Sequence, residues 1–217
     1  MKSIATKALI GVLGAGTVAT GVVFAALPES YESYLNKQGR PLLTGDSGEW
    51  EKVKTKYSQE GDDLLIKIDG KEIKKTELQI DQLKTWCSQN SKKSFSNTKD
   101  SIYQRISAWC TKPKTISEQV EKGMLNDEES PTAESTTTEN IDETTWKIKA
   151  KDYKTTTESY LIKIINDRGE EGEVIVANST TAIETKKLRA WCKYSKAKHF
   201  KHEEDQRYLT YKKWCVN

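Results

Sequence analysis

The feature that most constrains the fold is a Trp-Cys pair that occurs four times, in two sets with identical internal spacing. LKTWC at 83–87 is followed 23 residues later by a second Trp-Cys, and LRAWC at 188–192 is followed by another at the same distance. The second set lies 105 residues after the first. Self-similarity at a fixed period is the sequence signature of an internal repeat.

A second group of residues recurs at a different period. Trp50 and Tyr57 recur as Trp146 and Tyr153, and LIKI at 65–68 recurs at 161–164, each 96 residues later. The change from 96 to 105 implies nine additional residues in the second copy. We interpret NDRGEEGEVIVANS, which lies there, as a loop or a small hairpin.

The repeat predicts a tandem duplication behind an N-terminal segment. We expect a first module at 28–113, a connecting segment at 114–145 and the core of a second module at 146–217. The starts of the copies also look alike, since YLNKQGRPLL and QVEKGML each place a short amphipathic stretch before a Gly and a Leu. Residues 126–145 are acidic and Thr-rich, so they can bury too little apolar surface to offset chain entropy, and we predict a flexible loop or a linker between the modules.

Apolar periodicity predicts that each module is mainly helical. Thr76-x-x-Gln79 and Thr181-x-x-Glu184 fit the capping box, which marks a helix start. The first Trp-Cys of each set would end that helix. The second Trp-Cys would end another helix, for which Asn97 is the expected N-cap in the first copy.

The Trp50–Tyr57 segment reads as a helix or a strand. A separation of seven places both rings on one face of a helix but on opposite faces of a strand, so we predict a helix. The fold class is therefore mainly α, with α+β as the alternative if the LIKI segments form a short hairpin. The predicted core residues are Trp50, Tyr57, Leu83, Trp86, Trp109, Trp146, Tyr153, Leu188, Trp191 and Trp214.

Residues 8–27 contain no charged side chain. A helix of that length spans about 30 Å, the thickness of a hydrocarbon core. We predict that 1–27 is a signal-anchor with its N-terminus inside, because Lys2 and Lys7 precede the apolar run. The alternative is a signal peptide cleaved after Ala25. Both interpretations place 28–217 outside the cytoplasm.

Four cysteines outside the cytoplasm indicate disulfide bonds. Of the three pairings they allow, the repeat symmetry selects Cys87–Cys110 and Cys192–Cys215. Closing a loop of 24 residues contributes about 3.4 kcal/mol by the chain-entropy relation. The alternatives are a redox site, which lacks a C-x-x-C motif, and a zinc site. The zinc set would be Cys192, His199, His202 and Cys215, with a spacing that fits no familiar finger.

The charges of the chain are unevenly distributed. Residues 127–143 hold seven acids and no Lys or Arg, whereas 186–201 hold seven Lys or Arg and no acid. The basic stretch is interleaved with aromatic residues, which predicts either an anion-binding surface or a solvated helix face. The candidate anion-binding residues are Lys186, Lys187, Arg189, Lys193, Lys196, Lys198 and Lys201.

The common catalytic motifs are absent from the sequence. The sequence contains no phosphate-binding loop, no Gly-rich dinucleotide motif and no G-x-S-x-G. The net charge of +3 is too small to imply nucleic acid as a partner. We therefore expect a non-enzymatic protein without cofactor or metal, with the membrane and a host protein or glycan as partners. The alternative is an exported hydrolase whose carboxylate site carries no motif.

The N-terminus MKSIATKALIGVLGAGTVATG, the Trp…Tyr and L-x-x-Trp-Cys spacings and AWCTKPKT resemble paralogous uncharacterised protein families of haemotropic mycoplasmas. The resemblance covers essentially the whole chain through short motifs. It implies a surface protein of a wall-less red-cell parasite that acts in host contact or antigenic variation. An N-terminal anchor would then display 28–217 directly to the host. The family offers no catalytic residues to carry over.

Overall fold

The structure is a computed structural model that describes residues 28–45, 48–128, 140–177 and 182–217. The expected signal-anchor at 1–27, most of the acidic segment and Thr181 lie outside these ranges. Within them, no helix combines the length and the apolar character needed to cross a membrane.

The described residues of the first half, from 28 to 113, form four helices and one antiparallel hairpin. The hairpin lies between the second and third helices. The elements are α1 (Tyr31–Lys37), α2 (Glu49–Glu60), β1 (Lys67–Ile68), β2 (Lys71–Glu72), α3 (Ile80–Ser91) and α4 (Ser101–Trp109).

The second half repeats this order of helix, helix, hairpin, helix and helix. Two short 3₁₀ helices, Tyr153–Thr155 and Glu158–Tyr160, precede its hairpin. The elements are α5 (Ile116–Val120), α6 (Glu143–Asp152), β3 (Lys163–Ile165), β4 (Glu171–Val174), α7 (Thr185–Lys196) and α8 (Gln206–Cys215). The prediction of a mainly α fold with a small hairpin is confirmed, and the inserted NDRGEEGEVIVANS contributes β4.

Each half has its own hydrophobic core. The first core gathers residues between Tyr31 and Cys110, and the second gathers residues between Ile116 and Cys215. Ile116 and Leu125 belong to the second core, so that core begins inside the expected connecting segment. All ten aromatic and leucine residues named above as the core are buried.

Both disulfide bonds join the pairs that the repeat symmetry predicts. Cys87 is bonded to Cys110 and Cys192 to Cys215, and no cysteine is free. Each bond ties the third helix of its half to the end of the fourth. The third helix continues past its cysteine, α3 to Ser91 and α7 to Lys196, so the prediction that the first Trp-Cys ends a helix is wrong.

A tyrosine hydroxyl at or just after the second helix fixes the hairpin region in the same way in each half. Tyr57 Oη accepts from the Ile66 amide at 3.1 Å and donates to the Ile73 carbonyl at 2.6 Å. In the second half, Tyr153 Oη accepts from Ile162 at 2.9 Å and donates to Ile175 at 2.6 Å. Tyr57 and Tyr153 thus each bury a ring in the core and use their hydroxyl to hold two main-chain groups, an arrangement that we call the tyrosine clamp.

The last tryptophan and last cysteine of each half make recurring contacts as well. The Nε1 atoms of Trp109 and Trp214 each donate at 2.8 Å to a carbonyl that precedes the hairpin, that of Leu64 or Tyr160. The carbonyls of the final cysteines accept from the start of their own half. These bonds are Leu43 N to Cys110 O at 2.8 Å and Leu125 N to Cys215 O at 2.9 Å.

The third helices begin later than the sequence motifs predict. α3 starts at Ile80 with Gln79 as N-cap, and the Gln79 amide donates to Gln82 Oε1 at 3.0 Å. Thr76 lies in a turn outside the helix. α7 starts at Thr185, with Glu184 at the N-cap. In each half the N-cap position falls on the residue predicted to be the fourth of the box, but only Gln79 takes part in a capping box, since the Glu184 side chain makes no cap hydrogen bond.

The N-cap of α4 is Asp100 rather than Asn97. Asp100 Oδ1 accepts from the Ile102 and Tyr103 amides at 2.7 and 3.2 Å, which satisfies donors that the first helical turn leaves free. Asn97 instead accepts from the Lys99 amide at 2.8 Å in a local turn. At the offset of 105, Asp205 caps α8 by accepting from Tyr208 at 2.9 Å.

We expect Tyr57→Phe to destabilise the protein by about 2 kcal/mol, because it leaves a buried amide and a carbonyl without their hydroxyl partner. Tyr153→Phe is expected to cost a similar amount. Urea unfolding at pH 7.5 measures both values. The matched control is Tyr194→Phe, whose hydroxyl makes no hydrogen bond in the described part of the chain and whose change we expect to stay within about 0.5 kcal/mol. Equal values for all three variants would contradict the clamp.

Candidate functional site

The basic face of α7 is covered by the two ends of the acidic segment. Arg189, with a side chain 6% exposed, places Nη2 2.6 Å from Glu143 Oε2. Lys196 lies 2.6 Å from Asp127, and Lys193 lies 3.3 Å from Glu128. The two oppositely charged runs seen in the sequence therefore meet in the fold.

The other candidate anion-binding residues also have partners. Lys186 and Lys187 both pair with Glu184, at 3.1 and 2.8 Å. Lys201 pairs with Asp63 at 2.5 Å, and the Lys198 ammonium lies 4.0 Å from the centre of the Tyr194 ring. The anion-binding hypothesis stays a prediction. An external anion would have to compete with these carboxylates.

The loop 198–205, between α7 and α8, packs against the first half, and we call it the docking loop. His199 stacks on Trp109 with ring centres 5.4 Å apart. Its Nε2 lies 2.9 Å from the Ala108 carbonyl and its Nδ1 lies 3.2 Å from the Lys114 carbonyl. A neutral imidazole carries one N–H, so it donates to only one of the two carbonyls. We assign the proton to Nε2, which makes the shorter contact, with the Ala108 carbonyl. Burial lowers the pKa of His199, against the opposing charge of Glu60.

Arg40 anchors the other side of this contact. The guanidinium is buried and donates to Ser107 Oγ at 2.5 Å, to the Ser107 carbonyl at 2.7 Å and to Thr111 Oγ1 at 3.1 Å. Ser107 Oγ in turn donates to the Lys201 carbonyl at 2.7 Å. The guanidinium also lies 4.7 Å from the centre of the Phe200 ring. Side chains of the first half thus hold the main chain and an aromatic ring of the docking loop.

His202 and Glu203 complete the contact. Tyr103 Oη donates to Glu203 Oε2 at 2.7 Å, and burial raises the pKa of this phenol. His202 is buried, and its Nδ1 has no hydrogen-bond partner among the described residues. Burial lowers the pKa of His202, while the charges of Asp205, Glu203 and Asp63 oppose that shift.

The zinc site considered above, with Cys192 and Cys215 as ligands, is excluded by the disulfide bond between these two cysteines. Cys192 and Cys215 are bonded to each other and provide no thiolate for a metal. The described ranges also contain no group of three or more His, Cys, Asp or Glu side chains placed to hold an ion. Both histidines of the chain lie in the docking loop, in the second half.

A groove with polar walls lies between β1 and α3, and we call it the Trp86 groove. Its volume is about 610 Å³, and an adjoining cavity of about 220 Å³ shares Lys67, Trp86 and Asn90 with it. Trp86 and Asn90 are buried in its floor. Its exposed rim includes Asp69, Asp81, Thr85 and Gln89.

Sequence reasoning missed the Trp86 groove and the docking loop for the same reason. No sequence motif marks the groove or the loop. The exposed Asp, Thr and Gln of the groove have the pattern of an ordinary solvated helix face. Two other surface cavities lie elsewhere on the first half. One of about 440 Å³ is lined by Trp50 and Cys87, and one of about 520 Å³ lies between α2 and 113–118.

We expect Arg189→Met to cost about 3 kcal/mol, because it removes the buried guanidinium that lies 2.6 Å from Glu143 Oε2. The matched control is Lys193→Met on the same helix, which removes an ion pair whose side chains are 57% and 68% exposed and costs at most about 0.5 kcal/mol. Urea unfolding at pH 7.5 compares the two. Similar losses would show that burial of the Arg189 pair contributes nothing.

Stability is expected to fall on mild acidification. Because burial lowers the pKa of His199 and His202, the unfolded chain takes up protons at higher pH than the folded chain. The stabilisation is complete above the unperturbed His pKa of about 6.5 and is lost below it, by at most about 1.4 kcal/mol per pH unit for each ring. Urea unfolding between pH 7.5 and 5.5 measures this slope. The double variant His199→Gln/His202→Gln should flatten it, and an unchanged slope would contradict the assignment.

Comparison of the chain with protein-family models, curated proteins and solved structures finds no match in any of the three.

Proposed function

We propose that the chain is a membrane-anchored protein that displays residues 28–217 on the cell surface for host contact or antigenic variation. The observation that carries the proposal is the pair of closed disulfide bonds, which join all four cysteines. Structural disulfides persist in oxidising environments and are rare in the cytosol. The uncharged segment 8–27 supplies the means of attachment.

We infer further that the two halves arose by tandem duplication. The element order recurs, and so do the tyrosine clamp, the tryptophan-to-carbonyl bond and the disulfide pairing. At the same offset of 105, the docking-loop residues His199, Lys201 and His202 replace Ser94, Ser96 and Asn97. One copy thus retains small polar residues where the other has acquired groups that bind its neighbour. The two halves therefore share a scaffold and differ at residues that are buried where the halves meet.

The proposal is tested by protease treatment of intact cells followed by peptide mapping without reductant. We expect external protease to remove 28–217 while a cytosolic marker protein stays intact. The map should contain the linked peptides of Cys87 with Cys110 and of Cys192 with Cys215. Protection of this region until the cells are lysed, or free thiols in the native protein, would overturn the proposal.

A separate experiment distinguishes a retained signal-anchor from a cleaved signal peptide. A signal-anchor keeps 8–27 attached to the mature chain, so N-terminal peptides should be recovered from the membrane fraction after carbonate washing. A mature N-terminus that follows Ala25 in the released protein would instead establish cleavage, and the protein would then be secreted.

A further inference from the structure

We propose that the Trp86 groove binds a neutral oligosaccharide. This inference deepens the proposed function by naming a ligand class. It stands on the geometry of the groove, and it is tested on purified protein, so it can fail or succeed independently of where the chain is displayed.

The groove is held open by fixed groups in its floor. Trp86 Nε1 donates to the Lys67 carbonyl at 3.0 Å, which sets the distance between β1 and α3. Asn90 Nδ2 donates to the Trp86 carbonyl at 2.8 Å, and Asn90 Oδ1 accepts from Lys93 at 2.7 Å. An amide nitrogen carries two N–H groups, so one of them remains for a ligand. A site formed before binding loses little entropy when it is occupied.

The rim offers polar groups that the protein does not use. Within the described ranges, the side chains of Asp69, Asp81, Thr85 and Gln89 make no hydrogen bond or ion pair with other residues. Together they provide carboxylate acceptors, a hydroxyl and an amide that both donates and accepts. These groups converge on one cavity whose volume lies within the range of about 300–1,000 Å³ that is typical of ligand sites.

The charges around the groove favour a neutral ligand. Asp69 and Asp81 face a cavity that is also lined by Lys67, and Arg105 lines the adjoining one. Arg105 is held by hydrogen bonds to the Leu65 and Ser101 carbonyls, each at 2.7 Å. An anion would meet the two carboxylates and a cation would meet the two basic groups. A sugar hydroxyl both donates and accepts, so it suits a wall of mixed donors and acceptors.

The second half lacks the same arrangement. At the offsets of 96 and 105, Asp69 corresponds to Ile165 and Asp81 to Lys186. Ile165 packs against the second core, and β3 packs directly on α7. Thr85 and Gln89 correspond to Ala190 and Tyr194, which are half-buried rather than exposed. The open groove is therefore particular to the first half and is not required by the fold.

The test uses the purified full-length chain in a detergent without sugar groups. The probes are lactose and N-acetyllactosamine, with 3′-sialyllactose, a sulfated lactose and an acidic peptide as charged comparisons, and binding is measured by calorimetry. We expect the neutral sugars to bind. Absence of binding, or binding of the charged probes alone, would overturn the proposal.

Matched variants locate the binding. Thr85→Trp fills the groove and should abolish binding, whereas Thr55→Trp, at an exposed threonine on α2, should not change it. Gln89→Ala should weaken binding about 3–10-fold by loss of one hydrogen bond, and Gln59→Ala should stay within twofold. Thermal unfolding checks that all four variants fold. We expect them to fold because all four positions are exposed. Retained binding in Thr85→Trp would place the sugar elsewhere and refute the site.

Discussion

The crosslink between the third and fourth helices is the constraint from which the rest of each half is positioned. Cys87 and Cys110 hold α3 against the end of α4, and the Cys110 carbonyl then receives the amide of Leu43 from the start of the half. The neighbouring Trp109 reaches under the hairpin to the Leu64 carbonyl. The disulfide bond, the Cys110 carbonyl and the Trp109 side chain thus fix the pair α3 and α4, the residues before the hairpin and the segment at Leu43. The same set around Cys215 does so in the second half.

The two halves differ where they meet partners. The docking loop, between the last two helices of the second half, contacts the first half through His199, Lys201 and Glu203. The corresponding loop of the first half packs mainly on its own half, where Phe95 stacks on Tyr34 with ring centres 3.8 Å apart, and contributes one bond to the docking loop, from Thr98 Oγ1 to Glu204 Oε1 at 3.0 Å. The hairpins differ as well, since one packs on its helix and the other leaves the Trp86 groove beside it. The same order of elements therefore carries an internal contact in one half and an open cavity in the other.

Spacing in the sequence was sufficient to predict what depends on local periodicity and on symmetry. It predicted the helices around Trp50 and Trp146, the disulfide pairing and the hairpin formed by the inserted residues. It failed at helix starts, because Thr76 and Asn97 satisfy capping patterns as well as Gln79 and Asp100 do. It also missed contacts between residues far apart in the chain, such as Arg40 with Ser107. Both charge runs are visible in the sequence, but their pairing requires the fold to bring residue 128 to residue 193.

The position of the docking loop has a consequence for the order in which the protein matures. A chain synthesised from its N-terminus has its whole first half available to fold before residues 198–205 emerge. During that interval Arg40 and Ala108 face water, and they become covered when His199 and Phe200 arrive. A recombinant fragment that stops after Pro113 would remain at this earlier stage. Antibodies raised against it would recognise a surface that the finished protein hides.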